Sequence, residues 1–206
     1  MKLDLHVHSK YSVDSFTRLK SLKEKENRTG IIPIITDHNE IIGNKKYKCP
    51  ILASEITSKE GDVIGYFITE RIKPKMSAIE TIEEIHSQGG LASIPHPFDR
   101  FRNSALRIPK LIRKADIIEG FNARVQKQKD NKKAFEFAKK NEMPAIATSD
   151  SHIIWEFGKS YIDIEPFASP KEFLKNLKKA KLFGKTSSII YPIGTILYYK
   201  ILGNYK

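Results

Sequence analysis

The stretch Leu3-Asp4-Leu5-His6-Val7-His8 alternates apolar and polar side chains, and this period of two predicts a β-strand near the start of the chain. Side chains two residues apart on a strand point to the same face of the sheet. His6 and His8 therefore share one face, where two imidazoles can chelate a single metal ion.

Apolar runs of strand length alternate with amphipathic helical stretches in the rest of the chain. The predicted strands cover residues 3–8, 31–36, 50–54, 62–69, 91–94, 116–119, 145–148 and 160–164. The predicted helices cover residues 17–28, 77–88, 131–141 and 170–180. This alternation predicts an α/β fold with mainly parallel strands, and the number of strands favours a small barrel over an open sheet.

The sequence contains no internal repeat, low-complexity tract or linker, so we predict a single domain over residues 1–206. Residues 187–206 are rich in Ile, Leu and Tyr. We expect this hydrophobic segment to dock on the core, while a dimer contact and an interfacial helix are the alternatives.

The composition limits the classes of protein to which the chain can belong. Of 206 residues, 36 are Lys or Arg and 24 are Asp or Glu, so the formal net charge is +12. This charge suggests a polyanionic partner such as nucleic acid, although a Lys-rich surface alone would also produce it. The single cysteine, Cys49, excludes a disulfide framework and a four-cysteine zinc site. Without a signal peptide or an apolar run near 18 residues, the expected location is cytoplasmic, with no membrane partner.

Five of the six histidines lie at or just beyond the end of a predicted strand, and a glutamate ends a further apolar run. These residues are His6, His8, His38, His96, His152 and Glu55. In parallel α/β sheets and barrels, functional groups gather at the carboxyl ends of the strands, so we expect these side chains to share one pocket. His86 is the exception, because it lies on a predicted helix.

Imidazole and carboxylate ligands without thiolate suit Zn, Mn or Fe, and their number exceeds the four ligands of one tetrahedral site. The pattern therefore predicts two or three divalent ions in one pocket. Such ions lower the pKa of bound water, so the expected nucleophile is metal-bound water and the expected reaction is hydrolysis. A phosphoester is the favoured substrate, since its negative charge is stabilised by the ions and by nearby basic residues.

Five short motifs resemble, in order and spacing, those of the PHP (polymerase and histidinol phosphatase) family. They are Asp4-Leu5-His6-Val7-His8-Ser9, Thr36-Asp37-His38-Asn39, Ser54-Glu55, His96-Pro97 and Ser149-Asp150-Ser151-His152. The resemblance spans about residues 1–160. It implies a distorted (β/α)7 barrel and a hydrolase, a metal-dependent phosphoesterase of the short stand-alone kind.

The resemblance also implies how the ligands divide between the ions. One ion would be surrounded by His6, His8, Glu55 and Asp150, with Glu55 as the bridge to its neighbour. A second ion would be held by His38, His152 and, as a further candidate, Asp14.

A third ion would be served by His96, according to the same resemblance. Many family members supply another histidine to this ion at the position that Asp62 occupies here. Asp37 is expected to lie behind a metal-bound histidine and to orient it, a role that carboxylates often have.

Donors for a substrate phosphate are predicted on two segments that follow strands. They are three arginines, whose guanidinium groups can bind phosphate through two hydrogen bonds, and one asparagine: Arg100, Arg102, Arg124 and Asn122. Phe98, Phe101 and Trp155 could stack on a base at the rim of the pocket, or belong to the core. The charge and these aromatics favour a nucleotide or a nucleic-acid end as the substrate, and thus a nuclease or nucleotidase.

Three other functions stay open at this point. A histidinol-phosphate-type phosphatase acting on a small molecule needs the same ions. A metal-dependent amide or C–N hydrolase would be favoured by a lysine able to be carboxylated at a strand end, but Glu55 occupies the bridging position. A non-catalytic nucleic-acid-binding module is the third, and the near-complete ligand set argues against it.

Overall fold

The computed structural model describes residues 1–188, 190 and 191. Its strands are β1 (Lys2–Val7), β2 (Ile31–Ile35), β3 (Ala53–Thr57), β4 (Asp62–Tyr66), β5 (Leu91–Ile94), β6 (Ile117–Asn122), β7 (Ala145–Thr148), β8 (Tyr161–Asp163) and β9 (Lys181–Phe183). Its helices are α1 (Leu19–Thr29), α2 (Ile42–Tyr47), α3 (Ala78–Ser87), α4 (Pro109–Ile112), α5 (Gln128–Lys140) and α6 (Pro170–Leu177). Within these described residues, every helix is too short or too polar to cross a bilayer.

The strands form two sheets, with the orders β2-β1-β8-β9 and β3-β4-β5-β6-β7. The pairs β1–β2, β5–β6 and β6–β7 are parallel, as expected for strands that alternate with helices. The expectation of mainly parallel strands is nevertheless wrong, because β4 runs antiparallel to β3 and β5, and β8 runs antiparallel to β1 and β9. Only residues 58–61 separate β3 from β4, and a parallel crossover needs a dozen or more residues.

Two isolated parallel bridges connect the sheets near the carboxyl ends of their strands. One pairs Val7, the last residue of β1, with Ser151 just beyond β7. The other pairs His38, beyond β2, with Glu55 in β3. The first bridge is supported by a hydrogen bond of 2.8 Å from the His8 backbone N–H to the Ser151 carbonyl oxygen. These contacts bring strand ends from both sheets to one place.

Strand β1 is buried on both faces. Leu3 and Leu5 pack in the core, and Asp4 and His6 on the opposite face are also fully buried. The Asp4 carboxylate accepts hydrogen bonds from two backbone N–H groups beyond β7, and burial raises its pKa to about 6. The polar side chains of this alternating strand, Asp4 and His6, therefore face a polar site in the interior of the protein and not the solvent.

The starts of α3 and α6 lie within one residue of the prediction, whereas α1 begins at Leu19 and α5 at Gln128 instead of at residues 17 and 131. Ser77 caps α3: its hydroxyl accepts a hydrogen bond of 3.2 Å from the Glu80 backbone N–H, and the Glu80 carboxylate accepts one of 2.8 Å from the Ser77 N–H. Ser169 caps α6 with its hydroxyl, which accepts a hydrogen bond of 3.2 Å from the Glu172 backbone N–H, and Pro170 is the first residue of this helix. Of the isoleucines of α3, Ile82 and Ile85 are buried and Ile79 is 39% exposed.

Some elements differ from the expectation. Strand β3 begins after the apolar run at Pro50, so Glu55 lies inside this strand and not just beyond its end. The short elements α2, α4 and β9 are absent from the predicted set. The segment 187–206, expected to dock on the core, lies outside the described residues apart from 187, 188, 190 and 191.

Candidate metal centre

The structure brings all eight predicted metal ligands into one cluster. They come from β1 and the loop after it, from the middle of β3, and from the residues just beyond β2, β5 and β7: His6, His8, Asp14, His38, Glu55, His96, Asp150 and His152. The side chains of His38 and Asp14 are 21% and 23% exposed, and the other members are buried. The cluster therefore opens to solvent on the side of His38 and Asp14.

The Glu55 carboxylate lies at the middle of the cluster and meets four imidazoles. Its Oε2 atom is 3.2 Å from Nε2 of His6, 3.2 Å from Nε2 of His8 and 3.4 Å from Nδ1 of His38. Its Oε1 atom is 3.2 Å from Nε2 of His96. This geometry suits a carboxylate that bridges neighbouring ions.

Asp150 lies on the other side of the same imidazoles. Its Oδ1 atom is 3.5 Å from Nε2 of His6, 3.6 Å from Nε2 of His8 and 3.5 Å from Nδ1 of His152. The Asp150 backbone has a positive φ of 52°, and His96 has one of 32°. Such backbone conformations cost about 1–3 kcal/mol each in non-glycine residues and concentrate at functional sites.

Asp14, the further ligand candidate for the second ion, lies in the cluster. Its Oδ2 atom is 3.0 Å from Nε2 of His152 and 3.5 Å from Nε2 of His38. One donor atom each from His8, Asp14, His38 and His152 lies within 4.8 Å of the other three. Burial and the nearby Arg124 lower the pKa of His152 to about 3, so its imidazole is neutral and able to ligate.

The nitrogen and oxygen atoms of the cluster are arranged as ligands of divalent ions and not as partners in a hydrogen-bond network. Nε2 of His6 and Nε2 of His8 are only 3.0 Å apart and face the same Glu55 oxygen. Among the described residues, Nδ1 of His38 and Oδ1 of Asp150 are buried and make no hydrogen bond. A cation would satisfy these donors together, and nitrogen and oxygen ligands without thiolate match Zn, Mn or Fe.

Charge interactions inside the cluster shift several pKa values. Burial lowers the pKa of the His38 imidazole, but Glu55 and Asp14 raise it to about 10. Burial also lowers the pKa of His6, which Glu55 and two further carboxylates raise well above its ordinary value. Burial raises the pKa of Glu55, but His6 and His38 lower it far below the usual range. Without ions, protons on the imidazoles balance the carboxylates, and ion binding must displace those protons.

These shifts predict how the stability of the ion-free protein depends on pH. The pKa of His38 is about 10 in the folded protein against an ordinary 6.5. The folded state thus binds more protons between these values, so this stabilisation is complete below 6.5 and is lost as the pH rises through 10. Melting temperatures measured in chelator should fall between about pH 7 and 9, and His38→Gln should flatten the slope. A melting temperature that rises between pH 7 and 9 would refute the claim that protonated imidazoles stabilise the ion-free protein.

One buried carboxylate that was not predicted as a site residue, Glu119, supports the cluster from behind. Its Oε1 atom is 2.6 Å from Nδ1 of His6 and accepts a hydrogen bond of 2.7 Å from the Thr148 hydroxyl. Its Oε2 atom accepts hydrogen bonds of 2.7 Å from the His96 backbone N–H and 2.9 Å from the Asn122 amide. Hydrogen bonding at Nδ1 of His6 leaves Nε2 facing the cluster. The sequence feature that could have identified Glu119 as a site residue is its charge, because its neighbours Ile117 and Ile118 in β6 are apolar.

Replacing Glu119 with Gln should therefore weaken ion binding by about 10- to 100-fold, because the amide no longer holds the His6 ring in the ligating tautomer. The affinity is measured by competition of the protein with a chelating dye. Glu24→Gln is the matched control, since Glu24 is exposed and lies 4.0 Å from Lys20 on α1. Equal affinities in both variants would show that Glu119 does not position His6.

Asp37 was expected to orient a metal-bound histidine. Its carboxylate accepts hydrogen bonds of 2.6 Å from the Ser9 backbone N–H and 2.7 Å from the Ser9 hydroxyl. Asp37 therefore holds the backbone at Ser9, directly after His8. Its carboxylate contacts Ser9 in place of the imidazole that was expected.

Asp62 occupies the position at which many family members have a histidine. One of its oxygens lies within 4.8 Å of donor atoms of His38 and Glu55. Its Oδ1 atom is buried and makes no hydrogen bond among the described residues. Burial and the Glu55 charge raise the pKa of Asp62. The carboxylate is thus placed as an additional ligand candidate.

Two of the four predicted phosphate donors are engaged elsewhere. Nε and Nη2 of Arg100 are 3.0 Å and 2.6 Å from the two carboxylate oxygens of Asp130, which occupy the guanidinium fork. Asn122 is fully buried, and its amide donates to Oε2 of Glu119 at 2.9 Å and to Oδ2 of Asp150 at 3.1 Å. Neither position supports the predicted contact with a substrate, and Asn122 instead orients Asp150.

The other two arginines border the cluster. Nη2 of Arg102 is 2.5 Å from Oδ2 of Asp150, and its side chain is 24% exposed. Arg124 is buried, with its Nε atom 3.4 Å from Oε1 of Glu156. Arg102 therefore contacts both a ligand candidate and solvent.

Three further residues lie outside the cluster. His86 ends α3, with Nε2 2.8 Å from Oδ2 of Asp116. The Cys49 thiol donates to a backbone carbonyl at 3.3 Å, and burial raises its pKa to about 12, so it is unreactive. Phe98 is a core residue, packed edge-on against Phe137 at a ring distance of 5.5 Å.

Comparison with known proteins relates this fold and cluster to other chains. Residues 128–182 match the model of the PHP-associated family. Over 99% of its length, the chain is 34% identical to the uncharacterized protein MJ0417 of Methanocaldococcus jannaschii, of which it covers 92%.

Two solved structures share the fold. One, from Bifidobacterium adolescentis and assigned as a metal-dependent phosphoesterase, has a TM-score of 0.61 and 16% identity over 73% of this chain and 87% of the other. The lesion-specific endonuclease EndoQ of Pyrococcus furiosus has a TM-score of 0.59 and 16% identity over 88% of this chain and 57% of the other.

The protein thus combines a mixed α/β fold with a candidate multinuclear metal centre, which is formed by buried histidines and carboxylates. The family follows from the ordered motifs, the family match and the relative that the chain covers almost completely. The chain belongs to the PHP family.

Proposed function

We propose that the protein is a metal-dependent phosphoesterase that hydrolyses a phosphate ester with metal-activated water. The observation that carries the proposal is the Glu55 carboxylate, whose two oxygens lie 3.2–3.4 Å from nitrogen atoms of four imidazoles. The phosphoesterase and endonuclease among the structural neighbours support the same chemistry.

The residues that would hold the ions are the eight of the cluster. His6, His8, Glu55 and Asp150 would hold one ion; His38, His152 and Asp14 would hold a second; His96 would hold a third, with Asp62 as a further ligand. When bound, divalent ions lower the pKa of water and neutralise charge on a phosphoryl group. Zn, Mn and Fe all suit this donor set.

The remaining polar residues prepare the site for this chemistry. The Arg102 guanidinium is partly exposed beside Asp150 and can donate to a phosphate oxygen while it contacts this carboxylate. Asn122 and Glu119 hold ligand side chains from behind and restrict their rotation. Because most of the cluster is buried, bulk water is excluded and each charge interaction is strengthened.

We also propose that strands β1–β7 form a distorted (β/α)7 barrel as one domain. The bridges Val7–Ser151 and His38–Glu55 support this closure, because they link the two sheets at β1 with β7 and at β2 with β3. Strands β8 and β9 would then extend one side of the barrel.

The substrate that we favour is a nucleotide or a nucleic-acid end. The net charge of +12 supports a polyanionic substrate, and a neighbour in solved structures is a DNA-lesion endonuclease. A small phosphorylated metabolite is the alternative.

A phosphoester panel tests the proposal. The protein loaded with Mn or Zn is incubated with mononucleotides, oligonucleotides, a nucleotide cyclic phosphate, histidinol phosphate and glycerol phosphate, and released phosphate or mononucleotide is measured. Ion-dependent release from at least one substrate is expected. An ion-loaded protein that is inert on the whole panel would refute the proposal.

A further inference from the structure

Three loops that contribute residues to the cluster or contact it also carry exposed aromatic side chains. We call them the rim: residues 9–18 after β1, residues 98–108 after β5 and residues 151–160 after β7. Phe16 is 39% exposed, Phe101 is 65% exposed and Trp155 is 67% exposed. Exposed aromatic rings that gather around one site indicate a binding surface for a partner with apolar faces.

Each of these rings is tied through the backbone to the cluster. Phe101 directly precedes Arg102, whose guanidinium contacts a ligand candidate at 2.5 Å. The Phe16 backbone N–H donates a hydrogen bond of 3.1 Å to the His152 carbonyl oxygen. Trp155 follows three residues after the same histidine. The rings therefore belong to the surroundings of the proposed reaction site.

In the rim, the negatively charged side chains face the interior, whereas several positively charged side chains face the solvent. Its three carboxylates turn inward and are 23%, 4% and 0% exposed: Asp14, Asp99 and Glu156. They pair with His152, Arg102 and Arg124, respectively. The exposed cations of the rim are Lys10, Arg18, Arg100 and Arg107. Of these, Arg100 is paired with Asp130, and Arg107 donates to backbone carbonyl oxygens within the rim. The rim thus presents positive charge and aromatic rings to solvent, with its negative charge directed at the cluster.

We propose that the rim binds an unpaired nucleic-acid strand, with bases stacked on Phe101 and Trp155 and phosphates near Lys10 and Arg18. This inference rests on the proposed phosphoesterase function and specifies its substrate as a single-stranded end. Aromatic rings interleaved with cations hold single strands because each base has a π-face and each linkage a phosphate. A duplex keeps its bases stacked internally and offers the rim only phosphates.

The protein contains a built-in reporter for this binding, since Trp155 is its only tryptophan. Ion-loaded protein is mixed in a stopped-flow instrument with an oligothymidylate of about 12 nucleotides, so that binding is recorded before hydrolysis. The tryptophan fluorescence should be quenched, with weaker binding at higher salt. Polyphosphate and a blunt duplex of the same length should leave the fluorescence unchanged.

Variants test the two stacking residues. Phe101→Ala should weaken binding by about 5- to 150-fold, the range measured for loss of one base stack. Phe135→Ala is the matched control, because Phe135 is 48% exposed on α5, outside the rim, and this variant should bind normally. Trp155→Ala, followed by anisotropy of a labelled oligonucleotide, should show a similar loss that Trp155→Phe largely restores.

The outcomes separate this inference from the proposed function. Equal quenching by polyphosphate, or wild-type binding by Phe101→Ala, overturns the stacking surface. A protein that hydrolyses glycerol phosphate but fails to bind the oligonucleotide keeps the phosphoesterase function and overturns the inference. A protein that binds the strand through the rim but hydrolyses no phosphoester supports the inference as a binding surface and refutes the enzymatic proposal.

Discussion

Replacing Glu55 with Gln is expected to lower phosphoester hydrolysis by about 10³-fold, equivalent to about 4 kcal/mol of transition-state stabilisation. The two Glu55 oxygens lie 3.2 Å from Nε2 atoms of His6, His8 and His96. Glutamine keeps the shape but has no charge and only one oxygen, so it cannot link two ions. Steady-state rates and elemental analysis of the same preparations measure the effect.

The control for this variant is Glu24→Gln, which changes the same functional group at an exposed position on α1. It should retain the wild-type rate and ion content. Circular dichroism verifies that both variants are folded. A Glu55→Gln protein with unchanged rate and unchanged ion content would remove Glu55 from its bridging role.

Removal of the ions by a chelator is expected to abolish hydrolysis and to lower the melting temperature. Ions present at about 100 times their dissociation constant stabilise the folded state by about 2.7 kcal/mol. In a chain of this size, 1 kcal/mol corresponds to about 2–4 °C, so a shift of about 5–10 °C is expected. Scanning calorimetry before chelation, after chelation and after return of Mn or Zn measures the shift, together with the rate.

Two histidine variants show whether the shift comes from the cluster. His8→Ala should lose the ion-dependent shift, since His8 lies beside Glu55 and Asp150. His86→Gln should keep it, because His86 lies at the end of α3 beside Asp116. If elemental analysis finds no ions left and both rate and melting temperature are unchanged, the cluster is not a metal centre.

The parts of the fold and site that could be predicted depend on short-range patterns. The alternation around His6 and His8 predicts β1, and histidines that follow apolar runs predict a shared pocket because strand ends converge. Ser169, followed by Pro170, predicts where α6 begins, since the side-chain oxygen of the capping residue accepts a backbone N–H. These features depend on neighbours in sequence or on a general rule of α/β topology.

The parts that could not be predicted depend on distant partners. The sequence does not show that Asp130 occupies the guanidinium fork of Arg100, from 30 residues away. Nor does it show that Asn122 turns toward Glu119 and Asp150 and away from a substrate. The antiparallel direction of β4 was missed for a different reason: periodicity does not give strand direction, which here follows from the short connection of residues 58–61 between β3 and β4.

The central claim is that the eight convergent side chains form a multinuclear metal centre. An anomalous difference map from a crystal of the protein soaked in Mn²⁺, recorded near the manganese absorption edge, tests it most directly. The account predicts at least two peaks inside the cluster, about 3.5–4 Å apart, with the Glu55 carboxylate between them. A soaked crystal whose manganese peaks all lie outside the cluster, or that has none, would contradict the account.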